Sequence, residues 1–332
     1  MKKLLEQLTQ ATGPTGYEGE VRELVKSLVQ EFADEIYTDV MGNLIVRKGT
    51  RKESGLKIML SAHIDEIGVA VTHIDDNGYV RFTNLGGVRP TTCYSGRVKF
   101  TNGTIGIIGT EPVKSATEVH PLSKLFIDVG VSSKEEVSVE VGDFGCFMRP
   151  FVDLGYRLVS KAMDDRAGAA VLIELLKQIG DSPHEFYFVF STQEEVGLRG
   201  AKTAAYRINP DIGIALDVTL TGDTPKARTM DVSLGKGPAI KVKDSGMIAS
   251  PALVRAFCEV AESNEIPYQM EVLVGGTTDA AAIQVTRVGV PTGCISIPCR
   301  YVHSPSEMID LHDMENAVKL LVAMSQDPIK LI

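Results

Sequence analysis

The sequence predicts an α/β fold, a mixed sheet flanked by helices, with a small β-barrel-like domain inserted into it. Three observations carry that expectation. The runs "LKIMLSAHID", "EFYFVFS" and "IGIALDV" are almost continuously apolar, as strands covered on both faces would be. Segments with apolar residues at helical spacing stand between such runs. In residues 68–158, by contrast, short β-rich runs are separated by the turn signals Asp76-Asn77-Gly78, Gly86-Gly87 and Asn102-Gly103, with no long helical pattern. The chain therefore divides into one α/β domain, residues 1–67 and 159–332, and a β-rich insertion, residues 68–158.

Each element has its own signal. Val21, Leu24, Val25, Leu28 and Val29 follow a Gly13-Pro14-Thr15-Gly16 turn at helical spacing and predict an amphipathic helix over 18–31. "IYTDV", "NLIVRKG" and "LKIMLSAHID" then predict three strands. Beyond the insertion the reading is a helix over 166–177, a strand over 186–191, a helix near Ala201 and the strand "IGIALDV". A helix over 252–263, a strand over 269–273, a helix over 280–286, the strand "VPTGCISIP" and a closing helix over 314–324 complete it.

With 332 residues, 44% of them hydrophobic, the chain can bury a substantial core. A net charge of −9 without a basic tract argues against nucleic acid as a partner. No apolar run approaches the ~18 residues of a membrane span, and the opening Met1-Lys2-Lys3-Leu4-Leu5-Glu6-Gln7 turns polar too early for a signal peptide. A cytoplasmic location without membrane association is expected. Cys93, Cys146, Cys258, Cys294 and Cys299 contain no CxxC pair, so reduced, structural thiols are expected.

Functional groups in open α/β sheets gather at the carboxyl ends of strands. The apolar runs end in a consistent set there: His63 and Asp65, Glu194 and Glu195, Asp217, and His303, with Asp164 and Asp165 just before a helix. Singly, a histidine at a strand end is more often a hydrogen-bonded core residue, Asp-Asp before a helix an N-cap, and adjacent glutamates a solvated pair. Imidazoles and carboxylates converging from five segments point instead to ligation. Two histidines with several carboxylates suit zinc, cobalt or manganese better than magnesium or calcium.

The motifs "SAHIDEIG", "KAMDDRAG", "STQEEVGLRGA", "ALDVT", "GGTTDAA" and "RYVHSPSEM", in that order and nearly end to end, resemble the tetrahedral (TET) and glutamyl aminopeptidase family of dinuclear metallopeptidases. The resemblance implies a zinc-peptidase-like fold and two divalent metal ions per subunit. His63 and Asp217 would hold one, Glu195 and His303 the other, with Asp164 as the bridge and Glu194 as the general base. Asp65 would accept the free ring N–H of His63 and fix its tautomer, Asp165 would orient Asp164, and the Asp164–Asp165 peptide would be cis. Glu194 and Glu195 would point apart as neighbours on an extended backbone do. Gly275, Gly276, Thr277, Thr278 and Asp279 resemble the family's loop beside the substrate, although Asp279 also reads as a simple helix N-cap. Arg300 belongs to the family's pattern around the last ligand.

The implied function is removal of amino-terminal residues from short peptides with a free amino terminus. A site this rich in carboxylates favours a substrate ammonium even after two cations are counted. A metallo-carboxypeptidase or deacylase of related fold is the alternative. An endoglucanase is less compatible, because glycosidase acids sit about 5–9.5 Å apart and rarely come from adjacent residues, and the chain has no Trp for stacking on sugars. The family's inserted domain pairs subunits into dimers that close into a tetrahedral dodecamer, so the insertion is expected to build the assembly rather than the active site. His120 in the insertion could reach a neighbouring subunit, whereas His73, His184 and His312 read as structural.

Overall fold

In a computed structural model, which describes residues 1–112, 115 and 119–329, the α/β domain opens with helices α1 (Lys2–Gln10) and α2 (Gly19–Val29). Strands β1 (Glu35–Thr38), β2 (Leu44–Lys48) and β3 (Lys57–His63) follow. The insertion contains β4 (Gly68–Ile74), β5 (Val80–Leu85), the short helix α3 (Pro90–Cys93), β6 (Arg97–Phe100), β7 (Ile105–Thr110), β8 (Leu125–Asp128) and β9 (Phe144–Met148). After it come β10 (Val152–Leu154), β11 (Arg157–Ser160), α4 (Met163–Gln178), β12 (Glu185–Ser191), α5 (Arg199–Ile208) and β13 (Ile212–Thr219). The chain ends through β14 (Ala239–Lys243), α6 (Pro251–Ser263), β15 (Gln269–Val272), α7 (Asp279–Gln284), β16 (Thr292–Arg300), β17 (Glu307–Asp310) and α8 (Leu311–Gln326).

The mixed sheet has 11 strands, ordered β1-β2-β12-β3-β13-β16-β17-β11-β10, with β14 beside β16 and β15 beside β14. Its centre, β12-β3-β13-β16, is parallel, with Ser191 opposite His63, Ala215 opposite Ser61 and Asp217 opposite Ser296. The carboxyl ends of these four strands therefore share one edge. Strand β11 is antiparallel to β17, which is antiparallel to β16, so β11 runs with the centre and delivers the start of α4 to that same edge.

Burial on both faces explains the apolar runs. In β12, Phe186, Phe188 and Phe190 join the larger core with α1, α2, α4, α6 and α8, while Val189 packs on the other face with residues of α5 and α7. The insertion closes a six-stranded barrel, β4-β5-β8-β7-β6-β9, around its own core of Val69, Phe82, Val98, Phe100 and Ile127 among others. The barrel ends with β9; β10, expected inside the insertion, pairs with β11, which straddles the expected boundary and pairs in turn with β17 in the large sheet. Both were easy to misplace because neither run is long enough to carry a pattern of its own.

Candidate metal centre and substrate cavity

At the shared edge, His63 ends β3, Asp217 lies two residues before the end of β13, and the loops after β12 and β16 bring in Glu194, Glu195 and His303. Asp164 enters from the start of α4, and the peptide that joins it to Asp165 is cis. Ligand atoms of His63, Asp164 and Asp217 lie within 4.8 Å of one another, and so do those of Asp164, Glu195 and His303. Asp164 belongs to both groups. Its Oδ1 faces His63 Nε2 at 3.0 Å and its Oδ2 faces His303 Nε2 at 3.3 Å, while Glu195 Oε2 is also 3.3 Å from His303 Nε2. Glu194 Oε2 stands 3.9 Å from His63 Nε2.

The electrostatics of this donor set call for cations. Burial, Asp217, Glu195 and Asp279 push Glu194 well above the usual carboxylate range against the pull of His63. Burial and Asp164 do the same to Asp217, with His63 and Lys241 opposing. Burial lowers His303, but Asp164 and Glu195 outweigh it and push the imidazole up to about 11. His63 lies against Asp164, and His303 against Asp164 and Glu195, so each imidazole offsets part of the carboxylate charge. Nitrogen and oxygen donors in two triads that share one carboxylate are of the kind that hold divalent metal ions.

Carboxylates around the triads hold the backbone that carries them. Asp65 accepts Glu194 N–H at 3.0 Å, Glu195 N–H at 3.2 Å and the Thr15 hydroxyl at 2.8 Å. Glu18 accepts Gln193 N–H at 3.2 Å. The sequence suggested strand alternation as the reason Glu194 and Glu195 diverge; instead strand β12 ends at Ser191, Gln193 has a left-handed φ of 54°, and the two glutamates lie beyond the strand on this anchored turn. His63 Nδ1 lies 3.1 Å from the Asp65 main-chain oxygen and 3.4 Å from its carboxylate. Asp165 is fully buried and accepts Gly168 N–H at 2.9 Å.

Glu307 was not singled out in the sequence. Its two oxygens accept the main-chain N–H of Asp164 at 3.0 Å and of His303 at 2.8 Å, joining the shared carboxylate to the most distant ligand in the chain. The signal was present in "HSPSEM", four residues after His303, but a glutamate there reads equally well as a surface residue. Arg166, also missed, is fully buried and donates to the main-chain oxygens of Ile64 at 2.8 Å and Leu8 at 2.6 Å, tying α4 to the exit of β3 and to α1.

A cavity of about 650 Å³ opens over the triads. Glu194, Asp217, Thr219, Gly276 and Thr277 line it, together with Arg89 and Arg228. Gly275 and Gly276 take φ values of 97° and 68°, a turn suited to glycine. The remaining loop residues are placed otherwise. Asp279 sits below the cavity, accepting the hydroxyls of Ser61 at 2.7 Å and Ser191 at 2.5 Å, and Thr278 rather than Asp279 caps α7. Arg300 is committed to Asp223 through bonds of 2.9 and 2.8 Å and does not line the cavity.

The insertion also departs from expectation, since its Gly86 and Gly87 form part of the cavity wall against Glu195 and His303. His120 lies in the barrel, its ring nitrogen 3.2 Å from the Glu111 carbonyl oxygen. His184 is buried against Leu56 N–H, and His73 and His312 lie outside both triads. The five cysteines are free thiols. Among the described residues no helix is long and apolar enough to cross a membrane.

Comparison with known proteins identifies the family. The lysyl aminopeptidase of Pyrococcus furiosus is 36% identical over 340 residues, 98% of this chain and 96% of that one. The structure of aminopeptidase APDkam598 from the archaeon Desulfurococcus kamchatkensis superposes with a TM-score of 0.94 at 42% identity, covering 98% of this chain and 94% of that one. That of the Pyrococcus horikoshii TET1 peptidase, described as assembling into a tetrahedron or a large octahedral shell, gives 0.89 at 36% identity over 98% and 99%. The model of the M42 glutamyl aminopeptidase family matches residues 42–320. The chain thus belongs to the M42 glutamyl aminopeptidase family and is a peptidase.

Proposed function

We propose that the protein is a dinuclear metal-dependent aminopeptidase that releases amino-terminal residues from short peptides. The observation that carries this reading is the sharing of Asp164 between two triads, with Glu194 beside them and in neither. His63 and Asp217 would hold one ion, Glu195 and His303 the other, and Asp164 both. Two such ions would polarise the scissile carbonyl and make water a better nucleophile at neutral pH.

The chain's own residues supply the rest. Glu194 takes a proton from the attacking water as the new C–O bond forms, and returns it to the leaving nitrogen as the C–N bond breaks. Asp65, Glu18 and Glu307 keep the reacting side chains in register through main-chain hydrogen bonds. The carboxylates that line the cavity attract the substrate ammonium, and the lining at Thr219 and Gly276–Thr277 receives its first side chain. We further propose that subunits assemble through the barrel into a dodecamer, which would restrict access to short chains.

A panel of aminoacyl chromogenic substrates, with zinc, cobalt or manganese supplied after chelation, tests this reading. Chelation should abolish hydrolysis and metal should restore it. Peptides acetylated at the amino terminus should be poor substrates. Full activity in protein stripped of metal, verified by elemental analysis, would end the metal assignment, and equal turnover of blocked and free peptides would favour a deacylase.

A further inference from the structure

Behind Asp217 the sheet buries an ionic group that the chemistry above does not use. Lys241 of β14, Glu271 of β15 and Asp244 just after β14 are each about 1% exposed. Lys241 Nζ lies 3.4 Å from Glu271 Oε1 and 3.8 Å from Asp244 Oδ2. Among the described residues, Nζ, Asp244 Oδ2 and Glu271 Oε2 have no hydrogen-bond partner. Such a group is poorly accounted for by stability, because the cost of desolvating buried charges offsets much of their attraction.

Its other contacts lead to the cavity. Glu271 Oε1 accepts the hydroxyl of Thr219, a cavity wall, at 2.6 Å. Asp244 Oδ1 accepts Gly246 N–H at 2.8 Å and Met247 N–H at 2.7 Å, fixing the turn after β14. From that turn Ser245 N–H donates to the Gly276 carbonyl at 3.1 Å, and its hydroxyl donates to the same oxygen. Gly246 sits so close to Thr277 that an added Cβ would fall 2.3 Å from its hydroxyl. Leu273 N–H donates to the Lys243 carbonyl at 2.9 Å. One ammonium thus stands between the carboxylate that holds Thr219 and the carboxylate that fixes the turn whose Ser245 holds Gly276.

We infer that Lys241 is a positioning residue for substrate: its charge keeps Glu271 and Asp244 in place and so sets the spacing between the Thr219 wall and the Gly276–Thr277 loop. The inference rests on the aminopeptidase reading for what occupies that space. Without the ammonium, two buried carboxylates would repel each other and draw in water, and both walls would move outward.

Lys241→Met and the double variant Lys241→Met/Glu271→Gln, which also removes one of the stranded charges, test it in the full-length, metal-loaded protein. Lys241→Met should raise KM about tenfold or more on the chromogenic panel, while kcat and metal content stay within about twofold of wild type. Amide hydrogen exchange across residues 271–279 should quicken, and the double variant should recover part of both effects. Unchanged KM and unchanged exchange in Lys241→Met would overturn the inference. So would a fall in metal content at constant KM, which would make Lys241 a support for Asp217 instead. If Lys241→Met does not fold, Thr219→Val breaks the same chain at its last link, and an unchanged KM there would count against the inference. A wild type without peptidase activity would defeat the aminopeptidase reading, yet faster exchange over 271–279 in Lys241→Met would still support the coupling and unchanged exchange would overturn it.

Discussion

Gly87 of the barrel lies against the imidazole of His303: a Cβ built on it would fall 2.1 Å from Nδ1 and 2.6 Å from Cε1. No side chain fits there unless the ring moves. Gly87→Ala should therefore displace His303 and, on the proposed dinuclear reading, lower metal content from two ions per chain toward one and reduce activity with it. Elemental analysis after dialysis checks this. Two retained ions with wild-type turnover would mean that the barrel loop yields instead of the ring.

Glu194 and Glu195 should separate by substitution. Glu194→Gln keeps the side chain's size and removes the proposed base, so kcat should fall by about 10²–10⁴-fold with metal content unchanged. Glu195→Gln removes a charged member of the triad with Asp164 and His303, and should empty that position first. The reverse pattern of metal loss would exchange their roles.

Glu307→Ala removes the acceptor for Asp164 N–H and His303 N–H together. Partners of this kind, one bond removed from the ligands, typically cost 10–100-fold in metal affinity when lost, and a drop of about that size is expected in competition with a chelating dye. An affinity unchanged from wild type would reduce Glu307 to a packing residue.

The sequence made the centre of the molecule legible because physics there is repetitive. Strands buried on both faces must be apolar, so β3, β12 and β13 stand out, and the polar residues that end them mark the edge where the triads form. What stayed hidden depends on long-range pairing. Strand β17 is four residues long and declares itself only by pairing with β11 and β16. Glu307 and Glu18 matter through main-chain groups far away in sequence, and the contact of Gly86 and Gly87 with Glu195 and His303 depends on how the barrel is set on the sheet. Asp279 and Arg300 were misplaced for the complementary reason, since their local motif does not say which neighbour will claim the charge.

Stability should fall with rising pH through Asp313. Burial pushes this carboxyl up to about 7 against the pull of Gly235 N–H and Gly237 N–H, which it accepts at 2.8 and 2.7 Å. A raised pKa means that the native state holds the proton more tightly than the unfolded chain. The contribution is fully present below the ordinary carboxylate value and is lost as pH rises through about 7. Asp313→Asn should flatten the decline of Tm between about pH 4 and 8 in metal-loaded protein, where the imidazoles of the centre do not titrate. An identical slope in both proteins would remove Asp313 as its cause.

The barrel should carry the assembly as well as one wall of the site. Strand β7 turns Gly106 and Ile108 inward, while Ile105 and Ile107 on its outer face are 50% and 53% exposed. An isoleucine pair at the outside of a closed barrel gains about 25 cal/mol per Å² when a second subunit covers it. Light scattering on the native protein should give a mass near twelve times that of the 35.9 kDa chain. Ile105→Glu/Ile107→Glu should yield smaller particles that keep the metal centre, because neither residue approaches the triads. Dipeptide hydrolysis should then change little, while longer unfolded chains that a closed particle excludes should become substrates. A native monomer would end the proposed assembly, and an intact large particle in the double variant would place the subunit contact on another face.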